Sequence, residues 1–174
     1  MPYKIMIVDD EPVNLRTLER LFRPDYQVVT AASGQEALAL LEKHDVALLI
    51  SDQRMPGMTG IELMIKTVAI RPQMVKLLLT GYTDVGALIE ALNSGLVYRY
   101  LTKPWNNNDL RNTVSRALEH FEVMKSKHTL GMENRRLKAR LKEISNLASE
   151  ELAPEAADEV AATRSEPEIY ELLG

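Results

Sequence analysis

Five short apolar runs recur in the first hundred residues, each followed by a segment with helical spacing. This alternation limits the fold more than any other feature of the chain. The runs are YKIMIV (3–8), QVVTA (27–31), VALLIS (46–51), MVKLLLT (74–80) and YRYLT (98–102). They are five to seven residues long with Val and Ile prominent, which predicts strands rather than helices. Between them, residues 11–22, 34–43, 59–69 and 84–94 gather apolar side chains on one helical face, as in Ala37, Leu38 and Leu41 or Leu88, Ala91 and Leu92. A fifth helix is predicted after Pro104, with Asn106 as N-cap and Asp109 three residues on, in the manner of a capping box. Five βα units in succession predict an α/β fold, a (βα)5 doubly wound parallel sheet with helices on both faces and right-handed crossovers. The central runs KIMIV and VALLI are apolar on both faces, as strands covered on both sides must be.

A chain of 174 residues suits one such domain with an appendage, and 45% apolar residues suffice for its core. The absence of cysteine excludes a disulfide framework and any thiolate metal site. No run of 18 apolar residues occurs, and the start MPYKIMIVDDE lacks a basic stretch followed by an apolar one. A soluble protein with no membrane association and no targeting segment is therefore expected. The net charge of −4 is unevenly spread: residues 149–174 carry eight acids and one base, whereas residues 1–148 carry a net +3. An acidic tail thus follows a near-neutral body.

Sites in open parallel sheets form at the carboxyl ends of the strands. The residues there are Asp9 and Asp10 after the first run, Asp52 after the third, Thr80 at the end of the fourth and Lys103 after the fifth. Three carboxylates in a small volume repel one another unless a cation intervenes. Oxygen donors without His or Cys suit a hard ion such as Mg²⁺. An acid pair, a central acid, a hydroxyl and a lysine can hold a metal and a phosphoryl group together, with Asp52 attacking phosphorus while Mg²⁺ and Lys103 neutralise the phosphoryl oxygens. Asp10 is also expected to cap the helix opened by Glu11 and Pro12. Gly81, without a Cβ, leaves space for a phosphoryl group.

The motifs IVDDE, LLISDQRMPGMTG, LLLTGYTD and YRYLTKPW resemble those of the receiver (CheY-like) domain of bacterial two-component response regulators, over about residues 3–121. The combination SDQRMPGM, LTGYTD and YRYLTKPW is similar to receivers joined to HD-GYP phosphodiesterases or NtrC-type activators. The resemblance implies a flavodoxin-like strand order 2-1-3-4-5 and a bacterial cytoplasmic protein. It makes Asp52 the phosphoacceptor for a sensor histidine kinase's phosphohistidine. Asp9, Asp10 and Asp52, with the backbone carbonyl of Arg54, would hold Mg²⁺. Thr80 would hydrogen-bond the phosphoryl group, Lys103 would pair with it, and Tyr100 would act as the switch aromatic that turns inward as Thr80 moves. Arg54 and Tyr82 would overhang the pocket and, with Gly81, tune the lifetime of the acyl phosphate. Self-phosphorylation and autodephosphorylation at Asp52 would be the only turnover.

The helical pattern continues past residue 121, so the expected domains are a receiver (1–121), a helical, coiled-coil extension (122–150) and an acidic, disordered tail (151–174). Leu110, Val114, Ala117, Phe121 and Met124 form one seam, expected to pack on the receiver. Leu130, Asn134, Leu137, Leu141, Ile144 and Ala148 form a second, roughly two and a half heptads long. The seams shift phase around His128–Gly131, where Gly131 costs about 1 kcal/mol in a helix interior. A parallel homodimer through the second seam is expected, with Asn134 setting register. Arg135, Arg136, Lys138, Arg140 and Lys142 make this stretch basic; they read as solvated faces or as a match for the acidic tail, and without a helix-turn-helix no direct DNA binding is expected.

Other functions fit less well. DDEPVN is not the hydroxyl- and glycine-rich loop of a flavin phosphate site, and VDDEP does not supply the DxD nucleophile motif of a haloacid-dehalogenase-type phosphatase. A whole chain of this kind would be a receiver signalling through dimerisation or a downstream protein partner. The alternative is the receiver part of a longer regulator whose output domain lies elsewhere.

Overall fold

The computed structural model describes residues 3–81 and 85–151. Tyr82 and the tail from residue 152 onward lie outside these residues. Two compact units divide the chain, residues 1–127 and 128–174.

In the first unit five strands alternate with helices: β1 (Lys4–Val8), α1 (Pro12–Phe22), β2 (Gln27–Ala31), α2 (Gly34–Lys43), β3 (Leu48–Asp52), α3 (Gly60–Ile70), β4 (Val75–Thr80), α4 (Val85–Asn93) and β5 (Arg99–Thr102), followed by α5 (Asn107–Glu151). The sheet is wholly parallel in the order β2-β1-β3-β4-β5, the doubly wound, flavodoxin-like arrangement expected. Because side chains alternate along a strand, the sheet feeds two cores. Met6, Val8, Leu49 and Leu78 pack with Ala37 and Leu41 of α2, Leu63 and Met64 of α3, and Leu88 of α4. Ile5, Ile7, Leu48, Ile50, Leu77 and Leu79 pack with Leu18 and Phe22 of α1 and with Leu110, Val114 and Ala117 of α5. Lys76 breaks the apolar run of β4; it is 5% exposed, and its ammonium donates to the Met74 carbonyl at 3.0 Å.

Local chemistry sets the helix starts. Ser33 Oγ accepts from Glu36 N at 3.2 Å to cap α2. Thr59 and Glu62 form a reciprocal capping box on α3. Asn106 Oδ1 accepts from Asn108 N at 2.8 Å and Asp109 N at 3.2 Å, capping α5 as expected. The expectation for α1 is corrected: its N-cap is Glu11, with no side-chain capping bond, and not Asp10. Pro12 presets the first turn, and Asp9 accepts from Glu11 N at 2.9 Å, so the local side-chain bond falls one residue earlier.

The first seam of α5 packs as anticipated through Leu110, Val114 and Ala117, all fully buried, and Phe121 meets Tyr3 edge-on at 6.3 Å. Met124 at its far end is exposed. In the second unit, residues 128–151 are helical, through Gly131. Leu130, Leu137, Leu141 and Ile144 are each more than half exposed. Among the described residues no helix is long and apolar enough to cross a membrane.

Gly60 marks the tightest approach at the carboxyl edge. A Cβ there would collide with the Asp52 carbonyl and lie 2.7 Å from Leu78 Cδ1. Gly60→Ala is expected to destabilise the first unit by about 1–3 kcal/mol through overpacking, measured as a lower urea midpoint with unchanged m-value.

Candidate functional site

Parallel register brings the strand ends level. Val8 stands opposite Ser51, Asp52 opposite Leu79, and Thr80 opposite Thr102. The residues at and just past these ends, Asp9, Asp52, Thr80 and Lys103, therefore come to one edge. Asp9 is fully buried, Asp52 6% exposed and Thr80 7% exposed.

Lys103 is the hub. Its Nζ lies 2.9 Å from Asp9 Oδ2 and 2.7 Å from Asp52 Oδ1. Burial pushes the lysine's pKa down, but its hydrogen bonds to Asp52 and Asp9 and their charges outweigh this and hold it above the ordinary 10.5. The ammonium thus neutralises the acids themselves. Asp52 Oδ2 accepts from Arg54 N at 3.0 Å. Asp9 Oδ1 accepts from Glu11 N, and the Asn14 amide Nδ2 lies 3.1 Å from both oxygens of Asp9. Asp10, next in the chain to Asp9, is half-exposed, and Lys103 makes its ion pairs with Asp9 and Asp52.

The remaining candidates divide. The Thr80 hydroxyl donates to the Gly81 carbonyl at a long 3.5 Å, and Lys103 N donates to the Thr80 carbonyl at 2.8 Å. Tyr100 on β5 is 40% exposed. Among the described residues an added Cβ at Gly81 would meet nothing within 4 Å, whereas at Gly60 close packing demands a glycine. Two residues that the sequence reading did not single out take part. Gln53 Oε1 accepts from Ile61 N at 3.1 Å, and its backbone carbonyl accepts from Gly60 N at 3.0 Å, tying the loop after β3 to the start of α3. Asn14 reaches Asp9 from one turn into α1; a polar residue on the half-buried side of an amphipathic helix was the available signal.

The donor chemistry suits a hard cation: the acids supply only oxygen, and two buried carboxylates plus half-exposed Asp10 outnumber the single ammonium. With Asp9 and Asp52 turned onto Lys103, no group of three or more His, Cys, Asp or Glu among the described residues is arranged to hold a metal ion. A cation would have to share these carboxylates with the lysine.

Removing the shared ammonium leaves two buried carboxylates uncompensated. Lys103→Met is expected to lower unfolding free energy at neutral pH by about 3 kcal/mol. Because the lysine's folded-state pKa is raised, its contribution is complete below about 10.5 and disappears as pH rises through the folded value. Denaturant titrations of both proteins across alkaline pH should show the difference between them narrowing.

Residues 5–115 match the response regulator receiver domain model. The hydrogenase transcriptional regulatory protein HoxA of Cupriavidus necator is 35% identical over 131 residues, which are 75% of this chain and 27% of HoxA. The chain thus spans little more than a quarter of that relative's length. Among solved structures, the adenylate cyclase from Rhodopirellula baltica aligns with a TM-score of 0.72 and 37% identity, covering 75% of this chain and 97% of that one. The signal receiver domain of an HD domain-containing protein from Pseudomonas fluorescens aligns with a TM-score of 0.68 and 34% identity, covering 72% and 93%. Receiver domains are phosphoacceptors that interact with histidine kinases and output domains and typically bind Mg²⁺ at their acidic pocket. The sheet order, the paired acids on their lysine and the span of the family match lead to one conclusion: the chain belongs to the response regulator receiver domain family of two-component signalling.

Proposed function

We propose that Asp52 is the phosphoacceptor of this receiver and that a sensor histidine kinase is its donor. The observation that carries the reading is Lys103 Nζ placed 2.7 Å from Asp52 Oδ1, where it can follow negative charge onto a phosphoryl group. Asp52 attacks phosphorus, the P–N bond of the phosphohistidine breaks as the new O–P bond forms, and the imidazole leaves with the electron pair. Lys103 then pairs with the phosphoryl oxygens, and the Thr80 hydroxyl, which makes a long 3.5 Å bond to the Gly81 carbonyl, turns to donate to them. Tyr100 moves inward behind Thr80. Asp9, Asp10, Asp52 and the Arg54 backbone carbonyl would hold Mg²⁺, which when bound would supply neutralisation of phosphoryl charge. Arg54, Gly81 and Tyr82 tune how long the acyl phosphate lasts. Beyond phosphorylation and dephosphorylation of Asp52, the reading assigns no turnover, and it places the protein in the bacterial cytoplasm.

The output is carried by dimerisation or by a downstream partner. Leu130, Leu137, Leu141 and Ile144, each more than half exposed, support a parallel homodimer seam in which Asn134 sets register. The alternative, a receiver within a longer regulator, is supported by the chain's coverage of only 27% of HoxA.

With acetyl phosphate and Mg²⁺, intact-mass spectrometry should show one phosphate on the wild-type chain, none on Asp52→Asn, and none with excess EDTA. Labelling of Asp52→Asn to the wild-type level would refute the assignment. Sedimentation with and without beryllofluoride should show a dimer that Leu141→Glu, with a charge in the seam, reduces to monomer. A monomeric wild type under both conditions would remove the dimer reading.

A further inference from the structure

Asn14 touches the site through Asp9. Its Nδ2 lies 3.1 Å from Asp9 Oδ1, 3.1 Å from Asp9 Oδ2 and 3.3 Å from Glu11 Oε2. Three carboxylate oxygens around one amide nitrogen settle the amide's orientation, because the flipped form would set a carbonyl oxygen against all three. Each Asp9 oxygen consequently faces two donors. Oδ1 receives the Glu11 N–H and the Asn14 amide; Oδ2 receives the Asn14 amide and the Lys103 ammonium. Asp9 is fully buried, so no bulk water stands ready to replace a lost donor. Rotation of the carboxylate about its last torsion would break the Asn14 contacts together.

The choice of a neutral donor is informative. A lysine or arginine at this position would orient Asp9 equally well, but it would add a second cation beside Lys103 and cancel the negative charge that attracts a metal ion. Asn14 orients the carboxylate and leaves its charge in place. We infer that Asn14 is a positioning residue: it holds the Asp9 carboxylate so that Oδ2 faces Lys103, and it thereby sets the affinity of the site for Mg²⁺. The inference rests on the Mg²⁺ reading given above. Hydrogen-bond partners of metal-binding side chains typically change metal affinity by about 10–100-fold when removed.

The test uses the full chain with Asn14→Ala and Asn14→Leu, both good helix formers, and Arg16→Ala in the same helix as a control. Mg²⁺ titrations are followed by the fluorescence of Trp105, the only tryptophan, and Mn²⁺ binding is counted directly by electron paramagnetic resonance. Both Asn14 variants are expected to weaken Mg²⁺ and Mn²⁺ binding by about 10–100-fold, with Arg16→Ala like the wild type. Phosphorylation by acetyl phosphate should need about tenfold more Mg²⁺ for half-maximal rate, yet reach within about twofold of the wild-type rate at saturation. Unchanged or tighter metal binding in either folded variant overturns the inference. So does a fall in the saturated rate together with a lower melting temperature and unchanged metal affinity, which would mark a merely structural residue. A wild type that binds neither Mg²⁺ nor Mn²⁺ would instead overturn the Mg²⁺ reading, and the inference with it.

Discussion

Burying a carboxylate without a partner costs several kcal/mol, and both Asp9 and Asp52 are removed from water at the carboxyl edge, with one ammonium shared between them. The other contacts at this edge follow from that shortage of positive charge. Backbone N–H groups of Glu11 and Arg54 donate to the same carboxylates, and the Asn14 amide adds two further contacts. The lysine is attached through its own backbone as well, since its N–H bonds to the Thr80 carbonyl. The acids, the hydroxyl-bearing strand and the lysine thus form one connected network.

That network needs a rigid base, which the two-sided core supplies. Strands buried on both faces cannot slip by one residue without moving every side chain into the opposite core. Ile5 and Ile7 are committed to the α1 and α5 side, Met6 and Val8 to the α2, α3 and α4 side. Register is therefore fixed by packing far from the site, and the strand ends inherit it.

The same commitment explains what was legible in the sequence. Short apolar runs alternating with helices that carry one apolar face are unmistakable in series, so the sheet and the positions at its carboxyl edge could be read directly. What escaped was contact that depends on where a side chain points. Asp10 was read as the cap of α1, yet the local geometry lets Asp9 reach the Glu11 N–H. The ion pairs of Lys103 with Asp9 and Asp52 depend on where its long side chain points and were not foreseen. Gly60 escaped notice, although packing demands a glycine there, against the Asp52 carbonyl. Asn14 is five residues from Asp9, and only the turn of α1 reveals that they meet. Lys76 interrupts a run that otherwise reads as core, and the nearby Met74 carbonyl that accommodates it is a matter of strand geometry.

The capping box on α3 has a mechanical consequence. Thr59 and Glu62 lock the first turn of that helix, Gly60 seats it against the Asp52 carbonyl, and Gln53 grips it with both its carbonyl and its side chain. Asp52 and the start of α3 are thus clamped into one stiff block. Across the site the Thr80 hydroxyl makes a long bond to the Gly81 carbonyl. A load applied at Asp52 is therefore shared at once with the first turn of α3, through Gly60 and Gln53.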